Sequence, residues 1–92
     1  MTPETSIKKA IRDYLRLTGW FVFHNLAGLG VYPGISDLTA IKDGRVVFIE
    51  VKTNRGQQSE KQLLFEDGIR THGGEYIVAR SVDDVKETGG GK

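Results

Sequence analysis

Apolar positions along this 92-residue chain recur with two different periods, and the change of period predicts where helices and strands lie. The first segment repeats its apolar residues every three to four positions, which is typical of an amphipathic helix. Thr2 is a suitable N-cap with Pro3 at the first helical position, and Gly19 marks the end. The apolar stripe of this helix consists of Ile7, Ala10, Ile11, Tyr14 and Leu15.

A hairpin is predicted in the middle of the chain. The segments 36–42 and 45–52 flank Asp43-Gly44, a dipeptide preferred in two-residue hairpin turns because both residues tolerate positive φ. An additional strand is expected upstream, over the aromatic and β-branched segment 20–25. These segments predict three consecutive strands.

A second helix is predicted to begin at Ser59 and to end at Gly73-Gly74. Gln62 stands three residues after Ser59, as in a capping box. We expect this helix to bury a side formed by Leu63, Leu64, Phe65 and Ile69.

The remaining segments complete an α/β fold. Residues 75–79 are expected to form another strand, and Ser81 is expected to cap a short helix that ends near Glu87. The order α-β-β-β-α-β predicts a mixed sheet flanked by helices. Residues 1–88 are taken as a single domain and residues 89–92 as a flexible tail.

The loop from Leu26 to Gly34 is unusual because it is mostly apolar. Loops normally lie on the surface and are polar. Its apolar side chains must therefore be covered, either by this domain or by a second copy of the chain.

Composition narrows the class of protein. The chain is 38% hydrophobic and has no cysteine, which excludes a disulfide framework and a thiolate zinc site and favours a reducing compartment such as the cytoplasm. Its longest apolar runs, Trp20–Phe23 and Val46–Ile49, are far shorter than the ~20 residues of a membrane-spanning helix, so no membrane partner is expected. The formal charge of +1 alone gives no reason to expect a polyanionic partner.

The predicted hairpin brings two carboxylates together. A two-residue turn at Asp43-Gly44 makes the numbers of facing residues sum to 87, which sets Asp37 opposite Glu50. Facing acids repel each other, so a cation should offset them. The cation is either Lys52, in a plain surface salt-bridge cluster, or Mg²⁺, with the carbonyl of Val51 as a further ligand.

Motifs around these acids resemble those of a known enzyme family. Gly34-Ile35-Ser36-Asp37-Leu38, Glu50-Val51-Lys52 and Ser59-Glu60-Lys61-Gln62 occur in this order, with Glu4 near the start of the first helix. They look like the active-site motifs of the PD-(D/E)XK nuclease superfamily, specifically its VRR-NUC (virus-type replication-repair nuclease) family. The chain has Ser36 where that pattern usually has proline.

The resemblance implies metal-dependent hydrolysis of a phosphodiester with Mg²⁺, for which Mn²⁺ can substitute. Asp37 and Glu50 would hold the metal, with Glu4 reaching it through water, and Lys52 would orient the attacking water. Gln62 would contact phosphate or that water. Two of these residues also have ordinary structural interpretations, since Glu4 suits a helix N-terminus and Gln62 suits a capping box.

Basic residues supply candidate phosphate contacts. Lys8, Arg12 and Arg16 recur every four positions on the first helix and form a ridge, and the other two candidates are Arg55 and Lys61. Solvated side chains are the alternative interpretation. If Glu4, Asp37 and Glu50 belong to a metal site, the other nine acids against thirteen basic residues leave +4.

By resemblance, the expected activity is structure-selective cleavage of branched DNA, such as a Holliday junction, by a homodimer. The loop from Leu26 to Gly34 is the expected part of the dimer interface. The expected setting is DNA repair or recombination in the cytoplasm of a bacterial or virus-infected cell. The alternatives are flap cleavage or nicking of other DNA structures, or an inactive module that binds DNA or assembles with other proteins.

Overall fold

The computed structural model describes residues 2–26 and 28–89, the last two of them by their backbone alone. Of the predicted tail over 89–92, only Gly89 belongs to this range, at the end of the last helix. In chain order the elements are α1 (Pro3–Leu17), β1 (Phe21–His24), β2 (Leu38–Lys42), β3 (Arg45–Val51), α2 (Glu60–Thr71), β4 (Glu75–Ala79) and α3 (Asp83–Gly89).

Helix α1 begins and ends as its sequence predicts. The Thr2 hydroxyl accepts a hydrogen bond from the Thr5 amide, and Pro3 opens the first turn, where its missing N–H leaves no bond unmade. After Leu17 the chain turns at Gly19, which has a φ of 96°. No helix in the described part of the chain has both the length and the apolar character needed to span a membrane.

The β2–β3 hairpin confirms the predicted register. Asp43 and Gly44 both have positive φ, 52° and 82°, as the turn requires. All five facing pairs, from Lys42–Arg45 to Leu38–Ile49, have numbers that sum to 87. The turn chemistry therefore determines which residues face each other at the far end of the hairpin.

The sheet has the order β1-β2-β3-β4 and is mixed. The first three strands are antiparallel neighbours, and β4 lies parallel to β3 after the chain has crossed through α2. A parallel neighbour requires such a crossover connection. The predicted order α-β-β-β-α-β is thus the observed one, and the short helix predicted after Ser81 is α3.

The apolar core lies on the sheet face covered by α1 and α3. Facing strand residues share this side because side chains alternate along each strand. Helix α1 contributes Ile11 and Leu15, and α3 contributes Val85, all fully buried. The sheet contributes Val22, Leu38, Ala40, Val47, Ile49, Val51 and Ala79.

The opposite face is covered by α2, whose predicted buried side is partly wrong. Leu63 and Leu64 are exposed by 51% and 66%, whereas Phe65 and Ile69 are half-buried. Successive helical residues point about 100° apart, so 63, 64 and 65 cannot all face the sheet. Helix α2 packs instead through the ring of Phe65, which contacts the rings of Phe48 and Tyr76.

Candidate active site

Asp37 lies immediately before β2, where its carboxylate ends the hairpin ladder. Its Oδ2 accepts a hydrogen bond of 2.8 Å from the backbone amide of Val51. In the register of this hairpin, the Val51 amide would otherwise bond to the backbone opposite it, at Ser36. The side chain replaces the next rung of the ladder, which explains why β2 begins at Leu38 rather than at 36 as predicted.

Asn25 holds the backbone beside Asp37, and the sequence analysis did not single it out. Its backbone amide donates to the Asp37 carbonyl over 2.8 Å, and its Nδ2 donates to the Ser36 carbonyl over 3.0 Å. The Ser36 hydroxyl is fully buried and donates to the Leu38 carbonyl over 3.2 Å. A polar amide directly after an aromatic strand was the available sequence signal.

Glu50 is a buried acid near the end of β3 and only 2% exposed. Its Oε2 accepts a 2.7 Å hydrogen bond from Gln62 Nε2 and lies 3.5 Å from the Lys52 ammonium. Burial raises the pKa of this carboxyl from 4.5 to about 7, with a further contribution from the negative charge of Asp37. Its other oxygen, Oε1, is buried with no partner among the described residues.

The Gln62 side chain confirms the predicted capping box and also contacts Glu50, a partner that its position did not predict. Its Oε1 accepts from the Ser59 amide over 2.8 Å and completes the capping box of α2, while its Nε2 donates to Glu50. The two roles do not compete, because an amide has an acceptor end and a donor end. Helix α2 is therefore joined at its first turn to the buried acid.

Gly34 lets α2 approach this part of the sheet. It has a φ of 79°, and a Cβ on it would overlap the Lys61 carbonyl oxygen at the start of α2. Only glycine combines this backbone conformation with such a close approach. The Gly34-Ile35-Ser36-Asp37 motif thus positions Gln62 as well as Asp37.

The basic ridge on α1 separates into three different environments. The Lys8 ammonium lies 3.2 Å from Asp37 Oδ1, inside the candidate site. Arg12 pairs with Asp13 and contacts the His24 ring, and Arg16 donates to the Val22 carbonyl. Of the three, only Lys8 reaches the predicted metal ligands.

Glu4 lies in the first turn of α1 and is half-buried, and it makes no hydrogen bond or ion pair with other described residues. Its negative charge nevertheless contributes to the raised pKa of Glu50. Within residues 2–26 and 28–89, no three His, Cys, Asp or Glu side chains are grouped closely enough to form a ligand set. The hairpin register and the hydrogen bond from the Val51 amide bring Asp37 beside Glu50, whereas Glu4 acts on Glu50 only through its charge.

The donor set fits a hard divalent cation. Glu50 presents an unpartnered oxygen, and Asp37 has one oxygen free of backbone hydrogen bonds. A buried carboxylate oxygen without a donor is costly unless a cation can bind there, and two carboxylates with water suit Mg²⁺. The carbonyl of Val51 is the other predicted ligand. Val51 directly follows Glu50 at the end of β3, and its amide donates to Asp37.

Two surface clefts each contain one of the predicted basic contacts. A cleft of about 390 Å³ lies between the loop that leads to Gly34 and the first turn of α2, and Lys61 and Gln62 line it. A second, of about 420 Å³, is lined by Arg55, Arg80 and the start of α1. The exposed side chains of Arg55 and Lys61 thus lie in two separate clefts.

The sheet is mixed, and it carries two carboxylates and a lysine where β2 begins and β3 ends. Together these features are those of a nuclease-like α/β fold. A solved structure described as a VRR_NUC domain superposes with a TM-score of 0.82 at 25% identity, covering 95% of this chain and 94% of that chain. A second, a VRR_NUC domain protein, has a TM-score of 0.78 at 17% identity, with 96% and 85% covered. The chain therefore has the VRR_NUC fold.

No protein-family model and no curated protein matches this chain. The likeness to VRR_NUC domains is consequently a likeness of structure, in agreement with the resemblance of the motifs.

Proposed function

We propose that this protein is a metal-dependent DNA endonuclease. The observation that carries the proposal is the buried Glu50 carboxylate of this VRR_NUC fold, whose Oε2 lies near Lys52 and whose Oε1 has no partner among the described residues. A structural salt bridge would pair both oxygens of a buried acid with donors. An acid that binds a metal cation needs one oxygen without a hydrogen-bond donor, and Glu50 has such an oxygen in Oε1.

Each residue of the site has a definite role in this proposal. Asp37 and Glu50 would hold Mg²⁺ or Mn²⁺, the Val51 carbonyl would be a further ligand, and Glu4 would reach the metal through water. The cation, when bound, polarises the phosphodiester and makes a water molecule more acidic. Lys52 orients the attacking water and balances negative charge on the phosphate, and Gln62 keeps Glu50 in place by its hydrogen bond.

The substrate of this proposal is DNA that is recognised by shape. Of the basic candidates, Lys8 pairs with Asp37, and Arg55 and Lys61 line two separate clefts. Cations at separate places around a site contact phosphates and orient the nucleic acid without reading bases. Branched DNA such as a four-way junction is the proposed substrate, with flap cleavage or nicking as the alternative.

A homodimer is the proposed state of the protein. In the loop from Leu26 to Gly34, the side chains of Leu26, Leu29 and Tyr32 are exposed, and so are Phe21 and Phe23 on the edge strand β1. Exposed apolar groups of this kind mark interaction surfaces. A twofold dimer would present two active sites to the opposing strands of a symmetric junction.

Labelled duplex, flap, splayed-arm and four-way-junction DNA, incubated with Mg²⁺, Mn²⁺ or EDTA, tests the proposal. We expect cleavage only with metal, strongest on the junction, and no cleavage by Asp37→Asn. The asparagine retains an acceptor for the Val51 amide, so the hairpin end should persist. Metal-independent cutting, or equal cutting by the variant, would contradict the mechanism, and folded protein that cuts nothing would support the inactive DNA-binding module.

A further inference from the structure

Lys8 covers the one oxygen of Asp37 that the backbone leaves free. Its ammonium is 3.2 Å from Oδ1, whereas Oδ2 accepts from the Val51 amide. The two side chains are only 26% and 21% exposed, so the ion pair is partly shielded from water. Lys8 is thus a neighbour of the carboxylate and not only a member of a basic ridge.

A metal bound by Asp37 and Glu50 would need the oxygen that Lys8 occupies. Glu50 has Oε1 free, while its Oε2 is engaged by Gln62 and Lys52. On Asp37 the corresponding oxygen is Oδ1. An ammonium and a divalent cation repel each other at contact distance, so a metal bound at Oδ1 would weaken the ion pair of Lys8 with Asp37.

We propose that Lys8 is a displaceable counter-cation of the metal site that becomes a phosphate contact. In the metal-free protein its ammonium neutralises Asp37. It gives up Oδ1 when a metal binds, and it then contacts a backbone phosphate of the DNA. This inference rests on the proposed function, because it requires both the metal and the DNA.

The surroundings of Lys8 favour its proposed contact with a DNA phosphate. Ile7, the preceding residue, lines the same cleft as Arg55 and Arg80, so the start of α1 borders a basic surface. The other residues of the ridge have partners that a metal would not displace, namely Asp13 for Arg12 and the Val22 carbonyl for Arg16. Lys8 alone among the three would change its partner when the site fills.

The first test is metal binding without DNA, by titration of Mn²⁺ into wild type, Lys8→Met and Lys8→Arg. Loss of the competing charge should tighten Mn²⁺ binding of Lys8→Met about three- to fivefold, while Lys8→Arg should resemble wild type. Lys9→Met is the matched control, because Lys9 is the next residue of α1 and pairs with Asp13 away from the site. It should leave the affinity unchanged.

The second test measures the salt dependence of junction binding in Ca²⁺ and in EDTA, with the DNA checked for cleavage on a denaturing gel. One lost phosphate contact lowers the slope of log affinity against log salt by about 0.9. Lys8→Met should show this loss in Ca²⁺ and none in EDTA, where Lys8 of the wild type is held by Asp37. Lys9→Met should match wild type in both.

The outcomes separate this inference from the function on which it rests. Wild type that binds neither Mn²⁺ nor DNA would contradict the proposed function itself. If wild type binds both, unchanged or weaker Mn²⁺ binding by Lys8→Met would overturn the inference. It would also be overturned by a slope loss that is equal in Ca²⁺ and EDTA, or by no slope loss at all.

Discussion

The side-chain amide of Gln62 joins the first turn of α2 to Glu50, with its Nε2 2.7 Å from the Glu50 Oε2. The opposite end of the same amide accepts from the Ser59 amide in the capping box. One side chain therefore serves both the helix cap and the buried acid, which couples the start of α2 to the geometry of the site.

Gln62→Glu tests this coupling because it keeps the hydrogen bond from the Ser59 amide and removes the one to Glu50. A glutamate can still accept from the Ser59 amide, but it presents a second carboxylate to Glu50 in place of an N–H donor. We expect cleavage of the junction to fall about 10- to 100-fold, as is usual when a residue that orients a metal ligand is changed. Initial rates in Mg²⁺ measure the effect.

Ser59→Ala is the control for Gln62→Glu. It removes the hydroxyl that caps α2 and should cost about 1 kcal/mol of stability, yet it leaves the Gln62 contact with Glu50 intact. Its cleavage rate should remain near that of wild type. Equal loss of activity in both variants would show that the cap, and not the contact with Glu50, is what activity requires.

The raised pKa of Glu50 predicts that the metal-free protein loses stability as pH rises. Burial raises this pKa from 4.5 to about 7, so the folded state binds the proton more tightly than the unfolded chain does. The stabilising contribution is complete below pH 4.5 and is lost as the pH rises through about 7. A shift of this size corresponds to about 3 kcal/mol, to order of magnitude.

Urea unfolding in EDTA at pH 5 and pH 8, with Glu50→Gln as the comparison, measures this contribution. Wild type should lose stability relative to Glu50→Gln between the two pH values, because the amide does not titrate. Addition of Mn²⁺ at pH 8 should stabilise wild type and not the variant. If the stabilities of wild type and Glu50→Gln changed equally with pH in EDTA, burial would not disfavour the ionised Glu50 carboxylate.

Gly34→Ala should disrupt the contact between α2 and the motif that carries Asp37. The new Cβ would overlap the Lys61 carbonyl oxygen, and the φ of 79° is itself unfavourable for alanine. The strained conformation costs about 1–2 kcal/mol and the overlap about 1–3 more, so we expect a loss of about 2–5 kcal/mol in the free energy of unfolding. Chemical denaturation checks this value.

Gly73→Ala isolates the conformational part of that loss. Gly73 has a similar φ of 84°, but nothing lies within 4 Å of the position where its Cβ would be. This variant should lose only about 1–2 kcal/mol. Equal losses in the two variants would mean that α2 shifts freely and that the close approach at Gly34 does not matter.

The features that could be predicted from sequence are those that local chemistry determines. The Asp43-Gly44 turn set the register of the hairpin, and the register in turn brought Asp37 and Glu50 to its end. The capping box likewise depends on two residues three positions apart, Ser59 and Gln62. In each case the partners are close in sequence or are linked by the regular geometry of the two strands.

The features that could not be predicted depend on how separate elements pack. Lys8 meets Asp37 only because α1 lies against the sheet with its first turns at the end of β3, a relationship that no spacing along the chain encodes. Leu63 and Leu64 were predicted to be core residues, yet α2 packs on the sheet through the ring contacts of Phe65. Asn25 acquired its partner Ser36 in the same way.

Because the loop between β1 and β2 exposes apolar side chains, we expect one charged substitution in it to dissociate the proposed dimer. Leu29 is fully exposed, so Leu29→Glu cannot disturb the core, whereas it would bury a charge in any interface formed by this loop. Leu17→Glu introduces the same charge at another exposed leucine, the last residue of α1. Light scattering after size exclusion should give twice the chain mass for wild type and Leu17→Glu, and the chain mass for Leu29→Glu. A wild-type monomer at micromolar concentration would contradict the dimer, and a dimeric Leu29→Glu would place its interface elsewhere, with the exposed Phe21 and Phe23 of the edge strand as the next surface to test.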